Sequence, residues 1–323
     1  MGRSHSRCRK SAAENHSTRQ TQQTQNSMNS TNPKPTSIRT GKPAWLRRKL
    51  PSGPAYERIR SMIDKGRLHT VCQEANCPNQ FECFSAHTAT FLIMGGTCTR
   101  NCRFCNIDGG QPGPLDPDEP RRVAQAAADM KLRYVVVTSV TRDDLPDGGA
   151  AHFSATIRAL KEKITGVQVE VLIPDFQGDR KALETVMAAR PEVLNHNMET
   201  VARLYPTVRP EADYRRSLDL LARVKQIDSA IPAKSGIMLG LGESEDEVRQ
   251  AIADIHATGC RMLTIGQYLQ PTANHLPVVE FVPPEAFDRW RRVALEIGFD
   301  KVASGPFVRS SYHAGEMYSD KQP

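Results

Sequence analysis

Six short runs of apolar, mostly β-branched residues recur from residue 89 onward, and a segment with helical periodicity follows each of the first five. Runs that are apolar on both faces are typical of a parallel sheet covered by helices. We therefore predict an α/β fold, a partial (β/α)6 TIM-like barrel, because a complete barrel needs eight such units. A doubly wound sheet stays open as the alternative. The predicted strands are residues 90–94, 134–140, 167–173, 192–196, 235–241 and 263–268, and the predicted helices are residues 120–130, 153–163, 180–189, 214–227 and 245–257.

Polar and Gly-rich residues cluster just after these strands. The clusters are "TRDD" at 141–144, "HNMET" at 196–200, "GLGES" at 240–244 and "QYLQPT" at 267–272. In barrels of this kind active sites form at the carboxyl ends of the strands. The sequence therefore predicts a functional site at the barrel mouth.

The net charge of +7 comes from the start of the chain. Residues 1–50 contain eleven Lys or Arg and one acidic residue, Glu14, which amounts to +10 and leaves −3 for the rest. A near-neutral folded part offers no broad basic surface, so we expect no nucleic-acid partner.

Composition divides the chain into four parts. Residues 1–43 form a basic tail rich in Ser, Thr, Gln and Asn, which we expect to be disordered. We assign 44–88 to an N-terminal extension, 89–283 to the partial barrel and 284–323 to a C-terminal extension. No apolar run approaches the length that spans a bilayer, so we expect no membrane partner.

Six of the eight cysteines fall within residues 72–105. Such clustering, with no export signal before it, favours a metal centre in a reducing compartment over disulfides, and we expect a cytoplasmic protein. Cys8 lies in the tail, and we expect Cys260 to be a small buried hydrophobic residue.

The six clustered cysteines form two triplets, neither of which has a fourth thiol nearby. A structural zinc ion normally has four protein ligands. A 4Fe–4S cluster held by three thiolates instead leaves one iron open for a small molecule. Zinc and disulfides stay open as alternatives. The triplets are C-x4-C-x5-C at Cys72, Cys77 and Cys83, and C-x3-C-x2-C at Cys98, Cys102 and Cys105.

The second triplet, with Phe104 before its last cysteine and a barrel strand ahead of it, resembles the radical S-adenosylmethionine (radical SAM) superfamily. The first triplet together with "RSSYHAGE" at 309–316 narrows the resemblance to the lipoyl synthase family. The segments "CQEANCPN", "TSVTRDDLPDGG", "LNHNMET" and "MLGLGE" are similar to that family as well. The likeness covers residues 43–318, and the tail before it matches no family that we can name.

The resemblance implies two 4Fe–4S clusters and S-adenosylmethionine (SAM) as cofactors. The triplet at residues 98–105 would bind SAM through its open iron, and one electron would split SAM into methionine and a 5′-deoxyadenosyl radical. The triplet at 72–83 would hold an auxiliary cluster, completed by Ser311, that is consumed as sulfur donor for carbons 6 and 8 of an octanoyl-lysine. Arg309 would position the serine or the substrate, although a surface charge explains it as well. Without the cysteines, two adjacent serines would indicate only a polar turn.

The resemblance also suggests SAM contacts at the barrel mouth. The "TRDD" segment stands where the superfamily often has a motif that meets the methionine amino group, although a solvated turn explains it equally well. We expect contacts to the ribose or the carboxylate of SAM after the fourth strand. Two glycines would let the ligand approach the backbone closely. A helix arginine would pair with the methionine carboxylate, although such an arginine could also simply be solvated. The candidates are Thr141, Asp143, Asp144, Asn195, Asn197, Glu199, Arg216, Gly240 and Gly242.

The implied partners are octanoylated lipoyl carrier domains, either acyltransferase subunits of 2-oxoacid dehydrogenases or the glycine-cleavage H protein. A low-potential electron donor such as ferredoxin or flavodoxin and an iron–sulfur cluster carrier are also implied. Four alternatives compete: a methylthiotransferase acting on tRNA, a biotin-synthase-like enzyme, a ferredoxin-like electron carrier and a zinc-stabilised binding module. The near-neutral core disfavours the first, and the paired triplets with RSSY disfavour the second.

Overall fold

Parallel strands that are buried on both faces form the centre of the molecule. The computed structural model describes residues 42–47, 57, 60–63, 66, 68–74, 79 and 90–319, with the backbone alone for 72, 73 and 319. The described strands are β1 (His69–Thr70), β2 (Thr90–Ile93), β3 (Thr97–Cys98), β4 (Asp108–Gly109), β5 (Tyr134–Ser139), β6 (Gln168–Leu172), β7 (Val193–Asn195), β8 (Ala233–Leu239), β9 (Met262–Gln267) and β10 (Lys301–Gly305).

Helices alternate with these strands and cover the sheet. Apolar side chains from both layers form one large core, and a small second cluster contains Val193, Met262 and Met317. The described helices are α1 (Val71–Glu74), α2 (Glu119–Asp129), α3 (Ala150–Lys163), α4 (Arg180–Ala188), α5 (Tyr205–Val208), α6 (Tyr214–Ile227), α7 (Glu245–Ala257), α8 (Pro284–Ile297) and α9 (Ala314–Ser319).

Local sequence explains where several helices begin. Ser244 and Glu247 form a reciprocal capping box at the start of α7, and Asp213 accepts a hydrogen bond from the backbone N–H of Arg216 at the start of α6. Pro284 occupies the first turn of α8, where its missing N–H costs nothing, and Gly298 ends that helix at a φ of 116°.

The main sheet has the order β1-β2-β5-β6-β7-β8-β9-β10. From β2 to β10 every neighbouring pair is parallel, whereas β1 pairs with β2 in the antiparallel direction. Six strand–helix units, from β2–α2 to β9–α8, build the predicted partial barrel. The strand prediction was incomplete, because β10 adds a seventh parallel strand and β1 adds an antiparallel edge.

Segments on both sides of the predicted barrel therefore contribute strands to its sheet. The sheet continues through the assigned boundary at residue 283, since α8 packs on β9 and β10 pairs with β9. The four-part division itself stays a prediction.

The C-terminal segment, residues 306–319, crosses the barrel from one end to the other. A Cβ on Gly266, near the end of β9, would come within 2.2 Å of the Val308 carbonyl oxygen, so the segment passes directly over that strand. Further along, Met317 packs against Val193 and Met262, which begin β7 and β9. The segment thus carries the two serines into the barrel interior.

No helix in the described part of the chain is long and apolar enough to cross a membrane.

Candidate iron–sulfur and SAM site

The loop that follows β2 brings three thiols together at the barrel mouth. Cys98 lies in β3, which pairs with β4 a few residues later, and its carbonyl accepts a hydrogen bond from the N–H of Gly110 at 2.8 Å. The N–H of Cys105 donates to the carbonyl of Cys102 at 3.0 Å. All three cysteines are free and half-buried. The loop therefore closes on itself with its thiols available as ligands.

Burial keeps two of these thiols protonated when no metal is bound. Burial raises the pKa of Cys102, with Cys98 and Glu199 adding to the shift and Arg209 opposing it. Burial likewise raises the pKa of Cys105 to about 12. A bound cation must therefore displace these protons, as it does in thiolate sites generally.

This set of donors fits a 4Fe–4S cluster. Among the described residues, no three His, Cys, Asp or Glu side chains converge on a position for a single ion. A cluster does not require such convergence, because each thiolate binds a different iron. Cys98 Sγ also accepts hydrogen bonds from the N–H of Thr141 at 3.2 Å and of Arg100 at 3.4 Å, and donors of this kind tune cluster sulfurs.

A chain of ion pairs centred on the buried residues Arg100 and Asp175 holds the cysteine loop. Arg100 forms a fork with Asp143, at 2.6 Å and 2.9 Å, and contacts Asp175 at 2.6 Å. Arg216 donates to the second oxygen of Asp175 at 2.8 Å. Burial alone would raise the pKa of Asp175, but its hydrogen bond with Arg100 holds that pKa well below the usual range. Two predicted SAM contacts, Asp143 and Arg216, thus have protein partners.

The rest of the "TRDD" segment lies beside the cysteine loop. The carbonyl of Thr141 accepts hydrogen bonds from the N–H and the hydroxyl of Thr99, both at 3.0 Å. Asp144 receives two hydrogen bonds at 2.8 Å from the side chain of Arg142, and this pairing lowers the pKa of Asp144. The segment therefore orients the loop through its backbone and its ion pairs.

Two predicted residues after β7 line the barrel interior near the thiols. Asn197 Nδ2 donates to Glu199 at 3.0 Å and to the hydroxyl of Ser310 at 2.7 Å. Glu199 has a φ of 66°, which is uncommon for a residue with a side chain. Residues with such backbone angles are found most often at functional sites. Burial raises the pKa of Glu199, while Arg209 and Arg309 oppose the shift.

Asn195, the third predicted residue of this strand, belongs to a different network. Its side-chain amide donates to Glu170 at 3.2 Å, and Glu170 pairs with Lys234 at 2.9 Å and accepts a hydrogen bond from Tyr134 at 2.7 Å. Glu170, Lys234 and Asn195 are fully buried. The structure thus places Asn195 in a buried ion-pair network of the barrel interior.

Gly240 and Gly242 follow β8, and each has a φ of 99°, which favours glycine. A Cβ on Gly240 would lie 2.3 Å from Gln267 Nε2 and 2.4 Å from the carbonyl oxygen of Glu280. This glycine therefore lets the loop after β9 approach closely. The carbonyl of Gly242 accepts a hydrogen bond from Arg203.

Arg209 is a candidate that the sequence did not reveal. The side chain is buried, and Nη1 donates to the carbonyls of Asn197 and Met198 at 2.9 Å and 3.2 Å. Its Nε is buried and has no hydrogen-bond partner among the described residues. Arg209 also influences the pKa of Cys102, so a buried cation lies beside the thiols. Arg209 lies outside the "HNMET" segment whose carbonyls it contacts and belongs to no spacing pattern, which explains why it was missed.

The two serines of the C-terminal segment have different surroundings. Ser310 Oγ lies 2.7 Å from Nδ2 and 2.9 Å from Oδ1 of Asn197. Ser311 is half-buried, and its side chain has no hydrogen bond to a described residue. Arg309 Nη1 donates to the carbonyl of Val308 at 2.7 Å. Ser311 is therefore the serine available to an additional ligand.

One described residue connects the first cysteine triplet to this segment. Asn79 is buried, and its Nδ2 donates to the carbonyl of Phe307 at 2.7 Å. Cys77 and Cys83, on either side of Asn79 in sequence, lie outside the described residues, and only the backbone of Cys72 is described, within α1. The predicted auxiliary site thus has one described contact between its two parts.

Comparison with known proteins identifies the family. The model of the radical SAM superfamily matches residues 92–255, and that of the N-terminal domain of lipoyl synthase matches residues 12–77. The second match begins at residue 12, so it corrects our statement that the tail before residue 43 matches no family.

Several curated relatives agree. The chain is 57% identical to the lipoyl synthase of Caldanaerobacter subterraneus subsp. tengcongensis, over 84% of this chain and 95% of the relative. It is 54% identical to that of Thermus thermophilus, over 88% and 89%, and 56% identical to that of Nitrosococcus oceani, over 87% of each.

A solved structure supports the fold. Streptococcus suis SuiB bound to S-adenosylmethionine aligns with a TM-score of 0.52 at 10% identity, covering 77% of this chain and 61% of SuiB. At that identity the likeness concerns the fold alone. With the family matches and the geometry of the thiol loop taken together, this chain belongs to the lipoyl synthase family of the radical SAM superfamily.

Proposed function

We propose that Cys98, Cys102 and Cys105 hold the SAM-binding cluster of this enzyme, and that Cys72, Cys77, Cys83 and Ser311 hold the auxiliary one. As a lipoyl synthase the chain is a sulfurtransferase that inserts two sulfur atoms at carbons 6 and 8 of a protein-bound octanoyl-lysine. When bound, the two clusters supply one-electron cleavage of SAM and sulfide for the insertion. The protein holds these groups, orients the octanoyl chain and excludes water.

The proposal for the SAM-binding site rests on the three free thiols and the polar groups beside them. Asn197 and Glu199 are the best placed of the predicted contacts, because both line the interior and Glu199 lies close enough to Cys102 to affect its pKa. Thr141, Asp143 and Asp144 would act mainly by holding the loop, and Gly240 and Gly242 by shaping the mouth.

For the methionine carboxylate of SAM we propose Arg209 rather than Arg216. Arg209 is buried beside Cys102, and its Nε has no hydrogen-bond partner in the described part of the chain. Arg216 already donates to Asp175 and to the carbonyl of Glu211. A buried guanidinium with an unpaired donor favours an anionic ligand.

The proposal for the auxiliary site rests on one hydrogen bond between the two segments that would hold the cluster. Asn79, in the middle of the first triplet's sequence, donates to the carbonyl of Phe307, four residues before Ser311. This hydrogen bond brings the triplet's segment to the serine segment. Ser310 is engaged by Asn197, so Ser311 is the serine we assign as ligand, and Arg309 beside it would orient the segment.

The enzyme acts on lipoyl carrier proteins. We propose acyltransferase subunits of 2-oxoacid dehydrogenases and the glycine-cleavage H protein as its carriers. We also propose ferredoxin or flavodoxin as electron donor, an iron–sulfur cluster carrier as the source of new clusters, and a cytoplasmic location. The clustering of six cysteines within residues 72–105 supports a reducing compartment.

A matched pair of serine variants tests the assignment of the auxiliary ligand. Each variant is reconstituted with iron and sulfide, and given SAM, reductant and an octanoyl-lysine peptide without oxygen. We expect Ser311→Ala to form 5′-deoxyadenosine but little peptide with two sulfurs, measured by mass spectrometry. Ser310→Ala should keep most sulfur insertion. Equal product from Ser311→Ala and the unmodified enzyme would contradict the assignment.

A further inference from the structure

The long loop between β9 and α8 reaches across the barrel mouth to the cysteine loop. We call residues 268–283 the strap. The N–H of Leu276 donates to the carbonyl of Arg103 at 3.2 Å. His275 Nε2 lies 2.8 Å from the carbonyl oxygen of Cys105. The strap therefore contacts the main chain of the cysteine loop on both sides of Phe104.

The partners of His275 determine its tautomer. A carbonyl can only accept, so Nε2 carries the hydrogen that is donated to Cys105. In the neutral form of the imidazole, Nδ1 is then an acceptor, and it faces the hydroxyl of Thr272 at 2.8 Å. Both ring nitrogens are thus used, and the imidazole is held in one orientation.

Buried side chains at the base of the strap hold it in place. The hydroxyl of Tyr268 donates to the carbonyl of Leu276 at 2.7 Å, and Gln270 donates to the carbonyl of His275 at 2.9 Å. Gln267 contacts the far end of the strap, where its Nε2 donates to the backbone carbonyl of Glu280 at 3.0 Å. Gln267 and Tyr268 are themselves buried. His275 is therefore presented by a fixed backbone.

We propose that His275 is a positioning residue for the SAM-binding cluster, acting through the peptide of Cys105. The proposal rests on the assignment of Cys105 as a cluster ligand. The N–H of Cys105 already donates to the carbonyl of Cys102. The hydrogen bond from His275 fixes the carbonyl of Cys105 itself. With both ends of the residue held, its sulfur is directed toward one position, and the ligand geometry is set before the cluster binds.

Removing the imidazole should loosen that ligand without changing the chemistry of the thiols. We expect His275→Ala to release iron to a chelator about threefold to tenfold faster, the range that follows from losing one hydrogen bond. The electron paramagnetic resonance (EPR) spectrum of the reduced cluster with SAM should broaden or shift. His275→Gln, whose amide can donate to the same carbonyl, should restore both readings.

Iron release and the EPR spectrum are measured on the reconstituted full-length protein. Thr272→Val is the second variant, since it removes the hydroxyl that contacts Nδ1, along with its long hydrogen bond from the N–H of Asn274 at 3.3 Å, and should change the spectrum in the same direction by less. This variant keeps the test valid if His275→Ala fails to fold. A His275→Ala protein with unchanged iron release and spectrum would overturn the proposal, as would a His275→Gln protein that behaves like His275→Ala.

A Cys105→Ala protein separates this proposal from the assignment beneath it. If Cys105→Ala keeps all its iron, the cluster assignment fails. If Cys105→Ala loses one cluster while His275→Ala matches the unmodified protein, only the role of His275 fails.

Discussion

The cysteine loop at residues 98–105 and the C-terminal segment that carries Ser311 border the same interior, yet they are held in different ways. Main-chain hydrogen bonds connect the loop to Thr141, Val208 and Leu276, and the ion pairs of Arg100 hold it from below. The described contacts of the serine segment include a long main-chain bond, from the N–H of Gln267 to the carbonyl of Pro306 at 3.4 Å, and two side-chain bonds, from Asn79 and from Asn197.

This difference agrees with the proposed roles of the two sites. A cofactor site that is used repeatedly benefits from preorganised ligands. A site whose cluster is consumed must release its ligands and receive them again. A hard serine oxygen is a poorer match for iron than a thiolate and suits such a site. The predictions below test the contrast, from the largest expected effect to the smallest.

Arg100→Met should break the hold on the cysteine loop. The substitution leaves Asp143 without its ion-pair partner and the fully buried Asp175 paired with Arg216 alone, so we expect the free energy of unfolding to fall by about 3 kcal/mol, the lower end of the range for breaking a buried pair. Denaturant unfolding of the cluster-free protein measures this change. Arg180→Met, which removes an exposed pair with Glu184, is the control and should change little. Equal effects of the two variants would contradict the account.

Acid should destabilise the barrel through His196. Burial, together with Arg209, lowers its pKa to about 4, although Asp175 opposes the shift. Because an unfolded histidine titrates near pH 6.5, the unfolded chain binds more protons between about pH 6.5 and 4, and stability should fall across that window by up to about 3 kcal/mol.

The His196→Gln variant isolates this contribution. Its thermal unfolding should depend less on pH between about 6.5 and 4 than that of the unmodified protein, because the variant has no titratable side chain at position 196. Parallel pH profiles for the two cluster-free proteins would show that His196 is not the responsible group.

Arg209→Lys should weaken SAM binding. A lysine cannot reproduce the guanidinium's fork, so we expect KM for SAM to rise about tenfold to hundredfold, in line with hydrogen bonds to charged groups. The change in kcat should be smaller. Arg203→Lys serves as the control, because Arg203 is exposed and lies in the same segment between β7 and α6. Unchanged KM in the Arg209→Lys enzyme would exclude the proposed carboxylate contact.

Asn79→Ala tests the connection between the two parts of the auxiliary site, and we expect it to have the smallest effect on stability of these variants. Losing its bond to Phe307 should cost about 1 kcal/mol of unfolding free energy. The yield of inserted sulfur per 5′-deoxyadenosine should nevertheless fall, because the two parts of the auxiliary site are no longer connected. Asn274→Ala, at an exposed position in the strap, is the control. An unchanged yield from Asn79→Ala would mean that the connection is dispensable.

Most of the barrel could be predicted because its strands are continuous apolar runs. The predicted run at 134–140 became Tyr134–Ser139, and that at 263–268 became Met262–Gln267. The strand Lys301–Gly305 was missed since it lies at the sheet edge, half-buried throughout, and lacks a strong apolar pattern. The prediction for Cys260 is confirmed, because the residue is fully buried.

The site could be predicted only where a local motif carried it. The thiol spacing located the cysteine loop, but the partners of Asp143 and Arg216 depend on Arg100 and Asp175, which are more than forty residues away in sequence. Arg209 and His275 belong to no spacing pattern. Their proposed roles rest on contacts with main-chain carbonyls, and for Arg209 also on burial, which only the folded chain brings about.

The central claim, two clusters with separate tasks on one chain, is tested most directly by iron content and products in a pair of variants. The reconstituted enzyme should hold about eight irons, and Cys77→Ala and Cys98→Ala should each hold about four. Cys77→Ala should still form 5′-deoxyadenosine without inserting sulfur, whereas Cys98→Ala should do neither. Sulfur insertion at both carbons by Cys77→Ala, or a full complement of iron in either variant, would contradict the account.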